Sequence, residues 1–337
     1  MIFSVGLPTG MEGLTYPIPF SSPETVIRIA QTAEKLGYHS VWGNDHMTTQ
    51  NYVRKEFPTP PRFWEPLVTY SYLAAVTKTL RFGTGVLITP MRRDIVVLAK
   101  QIATLDHFSG GRFELGVGVG AYREEFEALW PDNKAHRGDM VEESVKALVH
   151  LYGNREATFD GTYYKYKNVE LYPKPLQKKL PIYFGGNNAN HIRRVAENEA
   201  ATGWLPAGMD VARLSAGVKQ LKELAAANGR DAAKIEVAPQ YIAHIGKTQE
   251  QAVARFRQSQ MYQHLLSLSK STLKDQANLS MEDINLVGSV EQVVDKANRL
   301  KEAGVTHFLG LYFAANDANE LLDQMQLFAE EIIPKVR

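Results

Sequence analysis

The sequence predicts an α/β chain folded as a parallel (β/α)8 barrel, and three observations carry that prediction. Apolar, β-branched runs alternate with longer stretches of helical period. The alternation reaches eight units. The length, 337 residues, exceeds the roughly 250 of a plain barrel by an amount that a few insertions absorb. Strand–helix alternation implies parallel pairing, because parallel strands need crossover connections and both faces of their sheet must be covered.

Residues 2–7 (IFSVGL) form the first strand. Ser22, followed by Pro23 and Glu24, caps a helix that aligns Val26, Ile29, Ala30 and Ala33 on one side and stops at Gly37. The second strand is 39–43 (HSVWG), and the Pro-rich stretch 47–63 after it is a first insertion. A helix over 65–78 leads to the third strand in RFGTGVLIT (81–89), and a helix over 94–108 leads to the fourth in RFELGVGVG (112–120). After a helix over 137–152, the second insertion, 153–180, reads as a Tyr-rich hairpin followed by YPKPLQKKLP. LPIYFGG (180–186) is the fifth strand, with a helix from 189. ATGWLP (201–206) is a weak sixth strand with a helix over 210–228, and IEVAPQYIAHIG (235–246) is the seventh. The third insertion, 261–286, contains SLSKSTLKDQ and lacks a clear hydrophobic period, which predicts a substrate-gating lid on the active rim. VTHFLGLYF (305–313) and a closing helix complete one domain over 1–337, a barrel with insertions after strands 2, 4 and 7.

Composition removes several functions. Lys plus Arg number 38 against 37 Asp plus Glu, so no global field exists for nucleic acid or an anionic membrane surface. The absence of Cys excludes disulfides, thiolate metal sites and Cys nucleophiles, and any redox chemistry must come from a cofactor. There is no basic leader and no run of about 18 apolar residues, which predicts a soluble, cytoplasmic protein. The nine His residues form no HxH or HExxH spacing, so no metal is expected, and no GxSxG elbow is present. GVGVG at 116–120 closes the fourth strand rather than opening a first βα unit, which argues against a dinucleotide fingerprint. GKT at 246–248 lacks the upstream glycine of a phosphate loop and reads as a helix start capped by Thr248.

Barrel enzymes place their sites at the carboxyl ends of the strands. There the second strand delivers Asn44, Asp45 and His46, an imidazole beside a carboxylate that can orient or exchange a proton with a ligand. The plainer alternative is a His that satisfies a loop carbonyl. After the fifth strand, Gly185, Gly186, Asn187 and Asn188 precede a helix, offering bare amides and a positive dipole end to an anion; the alternative is an ordinary capped turn. Gly83 and Gly85 expose backbone in the third strand, against which something flat can lie. Trp42 and Trp204 are candidates to wall a substrate pocket, or to fill the core.

AEKLGYHSVWGNDHM (33–47), the run 81–130 with its LAKQIATLDHFSGGRFELGVG, YPKPLQKKLPIYFGG (172–186) and VTHFLGLYF together resemble the bacterial luciferase-like oxidoreductase superfamily. The resemblance implies a TIM barrel that binds flavin mononucleotide (FMN) or coenzyme F-420 at its carboxyl end. It implies that Asp45 and His46 contact the ring and the reacting substrate, with both residues catalytic. It further implies that Gly85 and Val86 flank a non-prolyl cis peptide behind the ring, that Gly118 and Gly120 pass the cofactor tail, and that Gly185, Gly186, Asn187 and Asn188 hold the phosphate. Where bacterial luciferase supplies an Arg to the flavin phosphate, this chain has Val119. The expected activity is monooxygenation of a small organic substrate with reduced FMN delivered by a partner reductase, in a dimer. The alternatives are F-420-dependent hydride transfer and a non-catalytic flavin-binding barrel.

Overall fold

A computed structural model describes residues 1–268 and 279–336. Its centre is a curled sheet of ten strands, all paired in parallel. The order across the sheet is Leu286–Gly288, Gln240–Ile245, His307–Phe313, Ile2–Leu7, Ser40–Gly43, Arg81–Thr84, Phe113–Val117, Ile182–Gly185, Gly203–Leu205 and Glu236–Val237. The expected seventh strand is split at Ala238 and Pro239, because proline has no N–H to give a ladder. Ala238 N donates to Trp204 O (2.8 Å), while Leu309 N donates to Pro239 O (3.1 Å). This one stretch therefore bonds Gly203–Leu205 near one end of the strand order and His307–Phe313 near the other. Leu286–Gly288 is a strand that the sequence reading did not identify.

Helices cover the outer face, and their caps follow the sequence. Ser22 accepts from Thr25 N (3.2 Å) and Thr248 from Gln251 N (3.3 Å). Helix Pro23–Lys35 buries Val26, Ile29, Ala30 and Ala33, the stripe expected from its period. Residues 157–169 form the expected antiparallel hairpin, Ala157–Asp160 with Lys165–Val169. No helix among the described residues is long and apolar enough to cross a membrane.

Two expectations change. The segment 261–286 is not without periodicity: Gln260–Leu268 is a helix that buries Met261 and Leu265, one turn apart, and Met281–Ile284 is a second short helix. Residues 269–278, on which the expected lid centres, lie outside the described residues. The tryptophans belong to the core. Trp42 is fully buried in an interior cluster with Tyr183, Leu205, Ala238 and Leu309, and a Cβ on Gly83 would lie 2.3 Å from its indole. The flat group against the Gly83 backbone is therefore the chain's own Trp42. Trp204 is equally buried and packs on Gly217 of helix Val211–Ala227.

Candidate active site

A cavity of about 520 Å³ opens at the carboxyl ends of the strands. Asp45, His46, Gly85, Val86, Gly118, Gly120, Gly185, Gly186, Asn187 and Asn188 all line it, brought together from four strand ends. Trp42 and Trp204 do not. Trp204 instead supports the rim from behind, its Nε1–H donating to Gly186 O at 2.7 Å.

Asp45 and His46 are sequence neighbours with separate duties, because successive side chains leaving a strand turn to opposite sides. The buried Asp45 carboxylate accepts from Ile88 N (3.0 Å) and Arg92 Nη2 (2.6 Å), and Arg92 also reaches Glu65 (3.0 Å). It ties the second strand to the 85–92 turn. The carboxylate that serves His46 is Glu125, from helix Arg123–Leu129. His46 Nδ1–H donates to Glu125 Oε1 at 2.8 Å, and Glu125 is 1% exposed. Gln50 Nε2 donates to the same oxygen (2.6 Å), and Met47 N to the other (3.3 Å). Gln50 Nε2 also lies 3.0 Å from Nδ1; with the carboxylate at 2.8 Å, Nδ1 is assigned as the donor, and Nε2 is the nitrogen left for a ligand. The ring is framed by Phe63 and Tyr122, at centroid distances of 5.3 and 6.1 Å. Glu125 escaped the sequence reading because it lies 79 residues from its partner; the only local signal is an acidic residue immediately before the buried Phe126.

The anion cradle differs in detail from expectation. Gly186 N–H is already bonded to Leu205 O (3.1 Å). Asn187 clasps Ala207 through both ends of its amide (2.8 and 2.9 Å). Asn188 caps helix Ala189–Glu197 by accepting from His191 N (3.2 Å). What remains for an anion is the first turn of that helix, whose leading N–H groups have no intrahelical partner and carry the positive end of the dipole. His191 stands over this turn, with Nδ1 buried and lacking a hydrogen-bond partner among the described residues. Burial, with Arg194 and His136 nearby, lowers its pKa to about 4, so the ring is neutral at pH 7. Arg137 brings a cation to the back of the same rim, donating to Val119 O (2.9 Å) and Gly120 O (3.2 Å).

The glycines make room first for protein. The Gly85–Val86 peptide is cis, as the resemblance implies. The Val86 side chain nests between Gly118 and Gly185, at each of which a Cβ would stand 2.6 Å from it. Gly120, at φ +76°, occupies the left-handed region where a side chain is disfavoured. Gln240 Nε2 donates to Gly85 O (3.1 Å) and to the Tyr312 hydroxyl (3.2 Å), holding the floor beside Val86.

A curled parallel sheet whose strand ends enclose a pocket, with a helix amino terminus and a carboxylate-backed imidazole on its rim, is the layout of an α/β enzyme. The chain belongs to the luciferase-like monooxygenase family, whose pattern matches residues 1–307. It is 27% identical to an FMNH2-dependent dimethylsulfone monooxygenase of Pseudomonas putida, over 92% of this chain and 87% of that protein. It is 25% identical to an F-420-dependent glucose-6-phosphate dehydrogenase of Amycolatopsis mediterranei, over 94% and 95%. Its fold superposes on an F-420-dependent secondary alcohol dehydrogenase with a TM-score of 0.80, at 22% identity over 100% of this chain and 99% of that one. Family members are flavin- or F-420-dependent oxidoreductases.

Proposed function

We propose that this chain is a single barrel, with insertions after the second, fourth and seventh strands, that uses reduced FMN to oxygenate a small organic substrate. One observation carries the choice of FMN: among the described residues lining the cavity there is no Lys or Arg. A single phosphate is served by a helix amino terminus backed by Arg137, whereas a long polyanionic tail calls for several cations. The residues fit the group. Bare amides at the start of Ala189–Glu197 and the unpartnered His191 Nδ1 suit a phosphate, and the smooth wall of Gly85, Val86, Gly118 and Gly185 suits a flat ring.

When bound, reduced flavin supplies the electrons that activate oxygen. The protein's share is orientation, dryness and a proton. Met11, Leu14, Ile88, Leu265 and Leu268 keep water from the cavity. His46 exchanges a proton at Nε2 while Glu125 stabilises the charged ring.

A second reading, hydride transfer with F-420, is favoured by the same His46–Glu125 pair, which can take the proton of an alcohol whose hydride leaves. Titrating the protein with FMN, FMNH2 and F-420, followed by oxygen uptake with a flavin reductase, separates the two. Binding of FMNH2 and substrate-dependent oxygen uptake are expected. Binding of F-420 at least tenfold tighter, with substrate turnover in the absence of oxygen, overturns the FMN reading.

We read the protein as a cytoplasmic dimer supplied by a separate reductase. The absence of Cys suits a reducing compartment. Helix Pro66–Val76 (PLVTYSYLAAV) is apolar on nearly every face yet leaves Val68 and Tyr72, one turn apart, 69% and 59% exposed. A second copy would cover such a helix.

A further inference from the structure

We propose that His264 holds the oxygen of an uncharged substrate, so that the cavity prefers a ketone, aldehyde or alcohol on an apolar body to an anion of the same length. The proposal rests on the oxidoreductase reading above but not on the choice between FMN and F-420.

The cavity lining is chemically divided. The strand ends supply backbone, glycines and the anion cradle. Helix Gln260–Leu268 supplies His264 and, one turn on, Leu268, with Leu265 between them, and Ile284 follows from the next short helix. Met11 and Leu14 add further apolar surface. Carbon chains are welcome here.

Away from His46 and the start of helix Ala189–Glu197, the described lining residues offer no free charge to a substrate. Among the described lining residues there is no Lys or Arg, and the one carboxylate, Asp45, is already neutralised by Arg92 at 2.6 Å. With the start of helix Ala189–Glu197 taken by the cofactor phosphate, a carboxylate, sulfonate or phosphate on the substrate would be desolvated beside Leu265 and Leu268 without a partner among the described residues.

On the helix Gln260–Leu268 side the polar group that lines the cavity is His264. His264 Nδ1 and the Tyr52 hydroxyl are hydrogen-bonded at 3.0 Å, and the Tyr52 and Tyr122 hydroxyls lie 3.3 Å apart. Tyr122 also lines the cavity and stands beside the His46 ring. Burial, and the nearby His46, push the His264 pKa down to about 3, so this imidazole is neutral throughout the working range. The two imidazoles are therefore unlike. His46 has a carboxylate behind it that supports a positive charge. His264 has only a hydroxyl, which can donate to Nδ1 or accept from it, so Nε2 can present either a proton to a carbonyl or a lone pair to an alcohol. One ring exchanges the proton while the other holds the oxygen in place without competing for charge. His264 is a binding residue in this scheme, and His46 the proton carrier.

The test uses the full chain loaded with whichever of FMN or F-420 binds. 2-Octanone, octanal and 2-octanol are compared with octanoate and octanesulfonate through the change each causes in the bound cofactor's absorbance, and through KM where turnover is seen. The uncharged probes are expected to bind at least tenfold more tightly than the anions. His264→Phe should raise their Kd and KM at least tenfold while leaving cofactor Kd within twofold. His264→Gln, which keeps a hydrogen bond, should recover most of the loss. Equal or tighter binding of the anions, or an unchanged Kd in His264→Phe, overturns the proposal and leaves the oxidoreductase reading standing. Failure to bind either cofactor overturns both.

Discussion

Replacing Glu125 with Gln isolates the contribution of one buried charge to the chemistry. The substitution keeps the shape of the side chain and an oxygen to accept from His46 Nδ1–H, now at 2.8 Å, but it removes the charge that stabilises a protonated ring. A hydrogen bond to a charged group contributes about 1.5–3 kcal/mol where a neutral one contributes about 1. The difference, about 0.5–2 kcal/mol, is at about 1.4 kcal/mol per decade a loss of roughly 2- to 30-fold in any step in which His46 carries the proton. His46→Ala should cost on the order of 100-fold or more. Because Glu125 acts through His46, the double variant should be no slower than His46→Ala alone, a non-additivity that a purely structural role would not produce. The assay is kcat at saturating cofactor and substrate, with cofactor Kd and Tm measured on the same samples. Turnover of Glu125→Gln equal to or faster than wild type, or full additivity in the double variant, would refute the reasoning.

Asn188→Asp should retain the cap on His191 N while placing a negative charge at the anion cradle; cofactor Kd is expected to rise about tenfold with Tm unchanged. An Asp at 186 would be a poorer probe, since Gly186 sits at φ +131° with the His191 ring 2.4 Å from any Cβ there. Asp45→Asn should act on architecture: it leaves Arg92 short of a buried partner, and a loss of about 3 kcal/mol in denaturant stability is expected, larger than any effect on kcat at saturation. Glu34 accepts from the backbone N–H groups of Lys78, Thr79 and Leu80, and although burial alone would raise its pKa these bonds hold it at about 2, below the ordinary 4.5. A group with a depressed folded pKa stabilises fully above its unfolded value and loses that contribution as pH falls towards 2. Glu34→Gln should therefore cost about 2 kcal/mol in urea melts at pH 7, after allowance for solvent, and almost nothing near pH 2.

What the sequence revealed follows the range of the interactions involved. Strand–helix alternation, the caps at Ser22 and Thr248 and the stripe Val26–Ala33 depend on neighbours within a turn or two, and the structure reproduces them. Leu286–Gly288 was missed because three residues are too few to show a period, although SVEQ directly after it forms a capping box between Ser289 and Gln292. The partner of His46 was missed for a different reason. The sequence sets Asp45 and His46 side by side at the rim, but a strand end turns neighbours apart, and the carboxylate hydrogen-bonded to His46 arrives from a helix after the fourth strand. The hydrophobic pattern placed Trp42 at a strand end without saying which way it faces. Only the register, which sets Trp42 opposite Gly83, shows that it points inward.

That register also explains why the rim is rich in glycine without each glycine meeting a ligand. Trp42 fills the interior below the cavity and needs Gly83 bare, and Val86 needs Gly118 and Gly185 bare to settle between two strands. Val86 thereby becomes a fixed, partly exposed apolar ridge on the cavity wall, anchored on both sides by backbone rather than by flexible side chains. Gln240, bonded to Gly85 O and Tyr312, holds the preceding residue in place. A flat ring lying on such a ridge meets a surface that has already given up its conformational freedom, so little ordering remains to oppose binding. The hydrogen-bonded pairs His46–Glu125 and His264–Tyr52 are carried on loops and helices around it. The strand ends supply rigidity, and in the proposed scheme the segments between them supply the groups that meet the substrate.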